Sequence, residues 1–161
     1  RKVLTNANGE TIQDIEINYQ NGLNISRISD NTGKPKSYTW AYNETLPIIE
    51  NIGSIITIPS INSSNLLPGS YQTIAALLAD LDDIANDPIA QDNWAQFNSN
   101  IRAHYNSLIK TYTYKPLVGM TSFTDENGQT TYYEYDGFGR LVRMKDHDNN
   151  IIKLNHYSLR K

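Results

Sequence analysis

Cysteine is absent from the 161 residues, which excludes disulfides, thiolate nucleophiles and zinc–thiolate sites together. Histidine is scarce, at His104, His147 and His156, and a site needs converging partners rather than one group. No H-E-x-x-H, G-x-S-x-G, Walker or dinucleotide-binding signature occurs. No apolar run approaches the roughly 18–20 residues of a membrane helix. The formal charge of −3 gives no electrostatic pull towards nucleic acid phosphates or anionic lipid. Phenylalanine and tryptophan are few, at three and two, whereas tyrosine reaches eleven and clusters with threonine. That pairing suits a pleated, half-buried β surface.

Three zones follow along the chain. Residues 1–58 read as degenerate β-hairpins, with turn candidates at Asn8-Gly9, Asn21-Gly22 and Thr32-Gly33. Asn-Gly favours a two-residue type I′ turn, which needs positive φ at both central positions. Ile12, Ile15, Ile17 and Tyr19 largely alternate with polar residues, as do Leu23 and Ile25, while Ile28 falls one step out of phase, as a β-bulge would make it. Tyr38, Trp40 and Tyr42 alternate with Thr39 and Ala41, which predicts three aromatics on one face.

Residues 59–110 form a polar linker (59–69) followed by a helical hairpin. Ser70 is the expected N-cap of the first helix, and Ile74, Leu77, Leu78, Leu81, Ile84 and Ala85 keep helical spacing until Asn86-Asp87-Pro88 stops it. A second helix over roughly 92–108 carries Trp94, Phe97, Ile101, Tyr105 and Leu108, and the two are expected to pack antiparallel. Asp80, Asp82 and Asp83 read as a solvated acidic face.

Residues 111–161 return to strands. Asn127-Gly128, Phe138-Gly139 and Asn149-Asn150 fall eleven residues apart, each with an aspartate shortly before it. Two strands and two turns give a period of about 22 residues, within the range of stacked repeats. Asx side chains bond turn backbone, so hairpin geometry accounts for these carboxylates. Asp146-x-Asp148-x-Asn150 has the opening of a calcium loop, but Ile151 and Tyr157 stand where glycine and a bidentate glutamate belong.

The segment from Gly128 to Leu141 (GQTTYYEYDGFGRL) resembles the repeat consensus G-x-x-T-x-Y-x-Y-D-x-x-G-R-L of RHS/YD-repeat proteins at Gly128, Thr131, Tyr133, Tyr135, Asp136, Gly139, Arg140 and Leu141. Asp125-Glu126-Asn127-Gly128 and Asp146-His147-Asp148-Asn149-Asn150 resemble the D-x-x-G turns on either side, with Asn149 in the usual place of glycine. The stretches 112–122 and 37–43 are similar to flanking family sequence. The resemblance implies a bacterial secreted or cell-surface protein whose repeats build a long sheet, in the family often a spiral shell around a C-terminal toxin. The D-P-x-G aspartates of the family's self-cleaving core are not seen here. Arg1-Lys2-Val3 reads as the start of a piece of something longer.

The expected fold class is therefore α+β: an antiparallel β-hairpin repeat sheet with an inserted two-helix hairpin, in one structural domain. The expected function is a non-catalytic structural module that scaffolds or encapsulates, with no catalytic residue, cofactor or metal. Its partners would be other repeats or a C-terminal domain of the same parent protein. In hairpin terms, Gly128 and Gly139 supply turn dihedrals, Tyr133 and Tyr135 share a strand face, and Arg140 pairs with Asp136. The alternative is a glycan or surface-ligand module stacking sugars on Tyr38, Trp40, Tyr42, Tyr112 and Tyr114. Aromatic stripes on strands more often serve sheet packing.

Overall fold

Alternation and turn chemistry fold the chain into one antiparallel meander. The computed structural model describes residues 2–20, 22–30, 33–69 and 71–158. Among these, ten strands pair strictly in chain order: β1 (Lys2–Thr5), β2 (Thr11–Gln20), β3 (Asn24–Asp30), β4 (Lys36–Ala41), β5 (Leu46–Ile52), β6 (Leu108–Lys115), β7 (Gly119–Thr124), β8 (Thr130–Tyr135), β9 (Leu141–Lys145) and β10 (Ile151–Leu154). β5 and β6 pair directly, Ile49 opposite Thr111. The helical segment between them leaves the sheet and returns to the same ladder.

That insertion holds one more α-helix than the spacing predicts. α1 (Ile58–Ser63) lies in the stretch read as linker. A reciprocal capping box starts it: Ser60 N–H donates to Thr57 Oγ1 and Thr57 N–H donates to Ser60 Oγ. Buried Ile61 docks it, and docking rather than propensity sustains so short a helix. Ser70 lies outside the described residues; the N-cap of α2 (Ile74–Ala79) is Thr73, which accepts from Ala76 N–H at 3.1 Å. The apolar stripe Ile74, Leu77, Leu78, Leu81, Ile84 is buried throughout, yet the α-helix stops at Ala79 and resumes only as a 3-10 turn over Ile84–Asn86. Three aspartates without a basic residue oppose the macrodipole where the helix would continue. α3 (Pro88–His104) begins earlier than expected, because Asp87 caps it with bonds from Ile89 and Ala90 and proline sits in its first turn. It ends at His104, so Leu108 belongs to β6 and is half exposed.

The core lies between the insertion and one face of the central strands. Trp94 and Phe97 stack at 5.1 Å and are fully buried with Ile48, Ile49, Ile109 and the α2 stripe. On that face the sheet presents short side chains: Ser37, Thr39, Thr111, Thr113, Ser122, Thr124 and Thr130 are all buried. Their hydroxyls are satisfied locally, Thr124 with Thr130, Thr113 with Thr121 and Ser122, and Thr39 with the Ile56 carbonyl. Short hydroxyl side chains let the helices approach the sheet closely.

The first three strands contribute little to this core. Ile17 and Tyr19 are exposed, and Leu23 lies in the turn before β3 at 86% exposure, not in a strand. The side chain of Ile12 and the residues Asn21 and Thr32 lie outside what is described. The out-of-phase Ile28 has its cause: Asn18 pairs with Arg27 and Tyr19 with Ile25, so Ser26 is the extra residue of a bulge. Matching register shifts leave Ile48, Thr121 and Val142 as extra residues in β5, β7 and β9. The interval from Ser26 to Ile48 is within one residue of that from Thr121 to Val142.

Candidate functional site

Apart from Tyr132 of β8, which is buried in the core, the large rings of the central strands occupy the face away from the helices. Alternation places Tyr38 and Trp40 of β4 and Tyr112 and Tyr114 of β6 there, all half-buried, while their strand neighbours point into the core. Tyr112 stacks on Phe123 at 5.4 Å and on Tyr114 at 6.4 Å. Its hydroxyl donates to Glu50 Oε2 at 3.1 Å, and Glu50 pairs in register with Tyr38 on one side and Lys110 on the other. Trp40 leans away from this row and donates its indole N–H to the Ile25 carbonyl at 2.8 Å. Tyr38 and Trp40 also line a crevice together with residues 55–59.

Tyr42 does not continue the row. β4 ends at Ala41, and Tyr42, Asn43 and Glu44 all adopt positive φ (52, 57 and 63°), which carries the Tyr42 ring round the end of the sheet to pack against the core. Its hydroxyl accepts from the Tyr114 main-chain N–H at 3.1 Å, and its ring meets Tyr114 edge-on at 5.8 Å. The β5–β6 ladder reaches only as far as Ile49 opposite Thr111, and beyond it the Tyr42 hydroxyl gives the Tyr114 N–H an acceptor.

Electrostatically the face favours neutral phenols. Burial pushes the Tyr114 hydroxyl up to about 12, with Tyr42 adding to it. Burial and then the Glu50 charge push Tyr112 higher still. Tyr38 is raised by burial and by Glu50, partly countered by Lys110.

The motif residues form the next two hairpins. At Asp136 the N–H of Gly139 donates to the Asp136 carbonyl, Asp136 N–H donates to the Arg140 carbonyl, and Asp136 Oδ1 accepts from Phe138 N–H and Arg140 N–H. The same pattern recurs at Asn6, Asp125 and Asp146. These are three-residue loops with a type I turn and one left-handed residue, Gly9, Gly128, Gly139 or Asn149, at φ between 65 and 82°. The expected two-residue type I′ turns therefore do not form at Asn8-Gly9 and Asn127-Gly128, because the Asx side chain organises the longer loop. Asp146 Oδ1 is spent on the Asp148 and Asn150 N–H groups, which gives the calcium-like aspartate a turn role.

Arg140 bonds Asp136 Oδ2 through Nε at 2.8 Å and Nη2 at 2.7 Å, and stacks over Phe138 and Tyr157. That pair, ahead of the loop N–H bonds, holds the Asp136 carboxyl below its ordinary range. Tyr133 and Tyr135 share the face of Phe123 and Thr131, and Tyr135 donates to the Met120 carbonyl. The Leu141 carbonyl accepts from Asn155 and Tyr157.

Four residues escaped the sequence reading. Phe123 completes the ring stack, a position that alternation from Thr124 would have shown. Buried Glu134 pairs with Arg143 and Lys145, and Lys145 Nζ reaches the Ala85 carbonyl. Asn98 and Arg102 of α3 grip the sheet. Asn98 bonds the Thr111 and Thr124 hydroxyls, and Arg102 donates to the Ile109 and Asp125 carbonyls at 2.9 and 2.8 Å. Helical periodicity marks neither, since both are polar.

Residues 119–150, from β7 to the turn after β9, match the RHS Repeat family. No curated protein matches the chain significantly.

Proposed function

We propose that this chain, an RHS/YD-repeat protein by its matched segment, acts as a non-catalytic structural module whose sheet continues into further repeats and helps to enclose a partner domain. The observation that carries this reading is the state of the two sheet edges. β1 exposes Val3 and Leu4, and β10 exposes Ile151, Ile152 and Leu154. An open edge with apolar side chains is a template for further strand pairing, which isolated domains normally guard against with charge or proline. A neighbouring repeat would extend either ladder. The helices lie on the face of the central strands instead of guarding an edge, which gives them a wall-thickening role in a sheet-built shell. Extracellular or cell-surface placement accords with the family; no described helix is long and apolar enough to cross a membrane.

Analytical ultracentrifugation tests the edge reading. The chain is expected to associate with rising concentration, and the double variant Ile152→Lys/Leu154→Lys to stay monomeric with unchanged circular dichroism. A wild-type chain that remains monomeric at high concentration would refute the module as a strand-pairing element. The second reading, sugar stacking, draws on the half-buried rings of Tyr38, Tyr112 and Tyr114 around Glu50. A glycan array showing no binding would remove it.

A further inference from the structure

β3 and β4 pair only at Arg27–Ser37 and Ile28–Lys36, although both strands run on beyond that point. The Ser26 bulge ends the ladder, and the strands diverge. The Trp40 indole spans the opening to the Ile25 carbonyl, and the Asn24 side chain bonds the Glu44 carbonyl further along. A crevice of about 310 Å³ occupies the divergence, walled by Tyr38 and Trp40 on one side and by Ile55, Ile58 and neighbouring residues after β5 on the other. The segment after β5 is itself tied down, its Ser54 and Ile56 carbonyls accepting from Ser37 and Thr39. Both walls are therefore built before any ligand arrives.

The lining is uncharged: aromatic and aliphatic surface with Gln20, Ser26, Thr39, Thr57 and the Tyr38 hydroxyl as its polar groups. Thr39 and Thr57 hydroxyls are already engaged with the Ile56 carbonyl and the Ser60 N–H, and the Trp40 N–H with Ile25. Ser26, the bulged residue of β3, adds a hydroxyl to the lining beside that of Tyr38. Ligand sites are typically concave and mostly apolar, with few placed polar groups, from about 300 Å³ upwards. From this we infer that the crevice between β3 and β4 is a binding site for a small neutral aromatic molecule carrying one hydrogen-bonding substituent. Its ring lies between Tyr38, Trp40 and the Ile55–Ile58 wall, and its substituent meets Ser26. Aromatic walls favour a ring over an aliphatic chain through offset and edge-on contacts.

The chain's two tryptophans make the test direct. Trp94 is fully buried in the core, so only the Trp40 indole N–H reports on the crevice. Titration of the ¹⁵N-labelled chain with p-cresol or indole is expected to shift the Trp40 indole and Ser26 amide signals saturably, leaving Trp94 in place. Ile55 is half exposed, so Ile55→Glu can place a charge in the wall without disturbing the core. It is expected to weaken binding at least about tenfold, the range of a few lost apolar contacts. Ser26→Ala should weaken p-cresol several-fold and toluene not at all. The inference is overturned if p-cresol and indole leave Trp40 unmoved, if glucose or benzoate binds as well as p-cresol, or if Ile55→Glu, folded by circular dichroism, binds undiminished. These readouts are independent of edge association, so either proposal can fail alone.

Discussion

Gly119 shows how a single hydrogen can be a structural element. A Cβ at this position would lie 2.5 Å from the Tyr135 hydroxyl, which itself bonds the Met120 carbonyl. Gly119→Ala is expected to cost about 1–3 kcal/mol by overpacking, measured by urea unfolding. Tyr135→Phe in the same background should recover part of the loss, because the clashing oxygen is gone. Asp136 offers a complementary case. Its carboxyl is held below the ordinary value of 3.8 by Arg140, so its contribution is present above that pH and is lost as pH falls through the depressed folded-state value. Asp136→Asn should keep the turn, since Asn6 accepts the same two N–H bonds in the first hairpin. Acid unfolding followed by circular dichroism should then show a flatter pH dependence below about 4.

At the scale of the element, α3 is held by polar contacts as much as by its apolar stripe. Arg102 bonds two main-chain carbonyls on the sheet and Asn98 on its own helix, and no second side chain reaches both carbonyls. Arg102→Ala is expected to destabilise by about 2–4 kcal/mol, from the charged hydrogen bonds lost between α3 and the sheet. Arg102→Lys should recover little, because a single ammonium cannot reproduce the planar fork. Hydrogen exchange would place the loss in α3 and the β7–β8 turn. Helical spacing predicts α3 well, since Trp94, Phe97 and Ile101 are its buried side. The same spacing predicts one helix from Ile74 to Ala85, where two shorter ones form. Periodicity reports which residues are buried, and a broken helix can bury the same stripe.

For the whole molecule, the distribution of tyrosine couples the face away from the helices to alkaline stability. Tyr112 and Tyr114 have folded-state values above the ordinary 10, so their stabilising effect is complete below pH 10 and declines as pH rises further. Phenolate absorbance should show Tyr114 ionising near 12 and unfolding cooperatively with Tyr112 above it, whereas Glu50→Gln should move the Tyr112 transition down. A Tyr112 that titrates at the free-tyrosine value in the folded chain would contradict the buried stack.

Turn chemistry and alternation by themselves determined the hairpin repeat, the strand zones and the place of the insertion, because these depend on bonds within a few residues: Asx oxygen to loop N–H, left-handed glycine, alternate side chains. Tertiary structure decided which sheet face is inside. β4 and β6 carry serine or threonine on one side and aromatic rings on the other, and both suit a strand. Only the helices, returning to the face where short hydroxyl side chains admit Asn98, Arg102 and Trp94, made the threonine side the core and left the rings outside. The same holds for Ser26 and Trp40, whose crevice arises where a bulge parts two strands far from either end of the matched repeat.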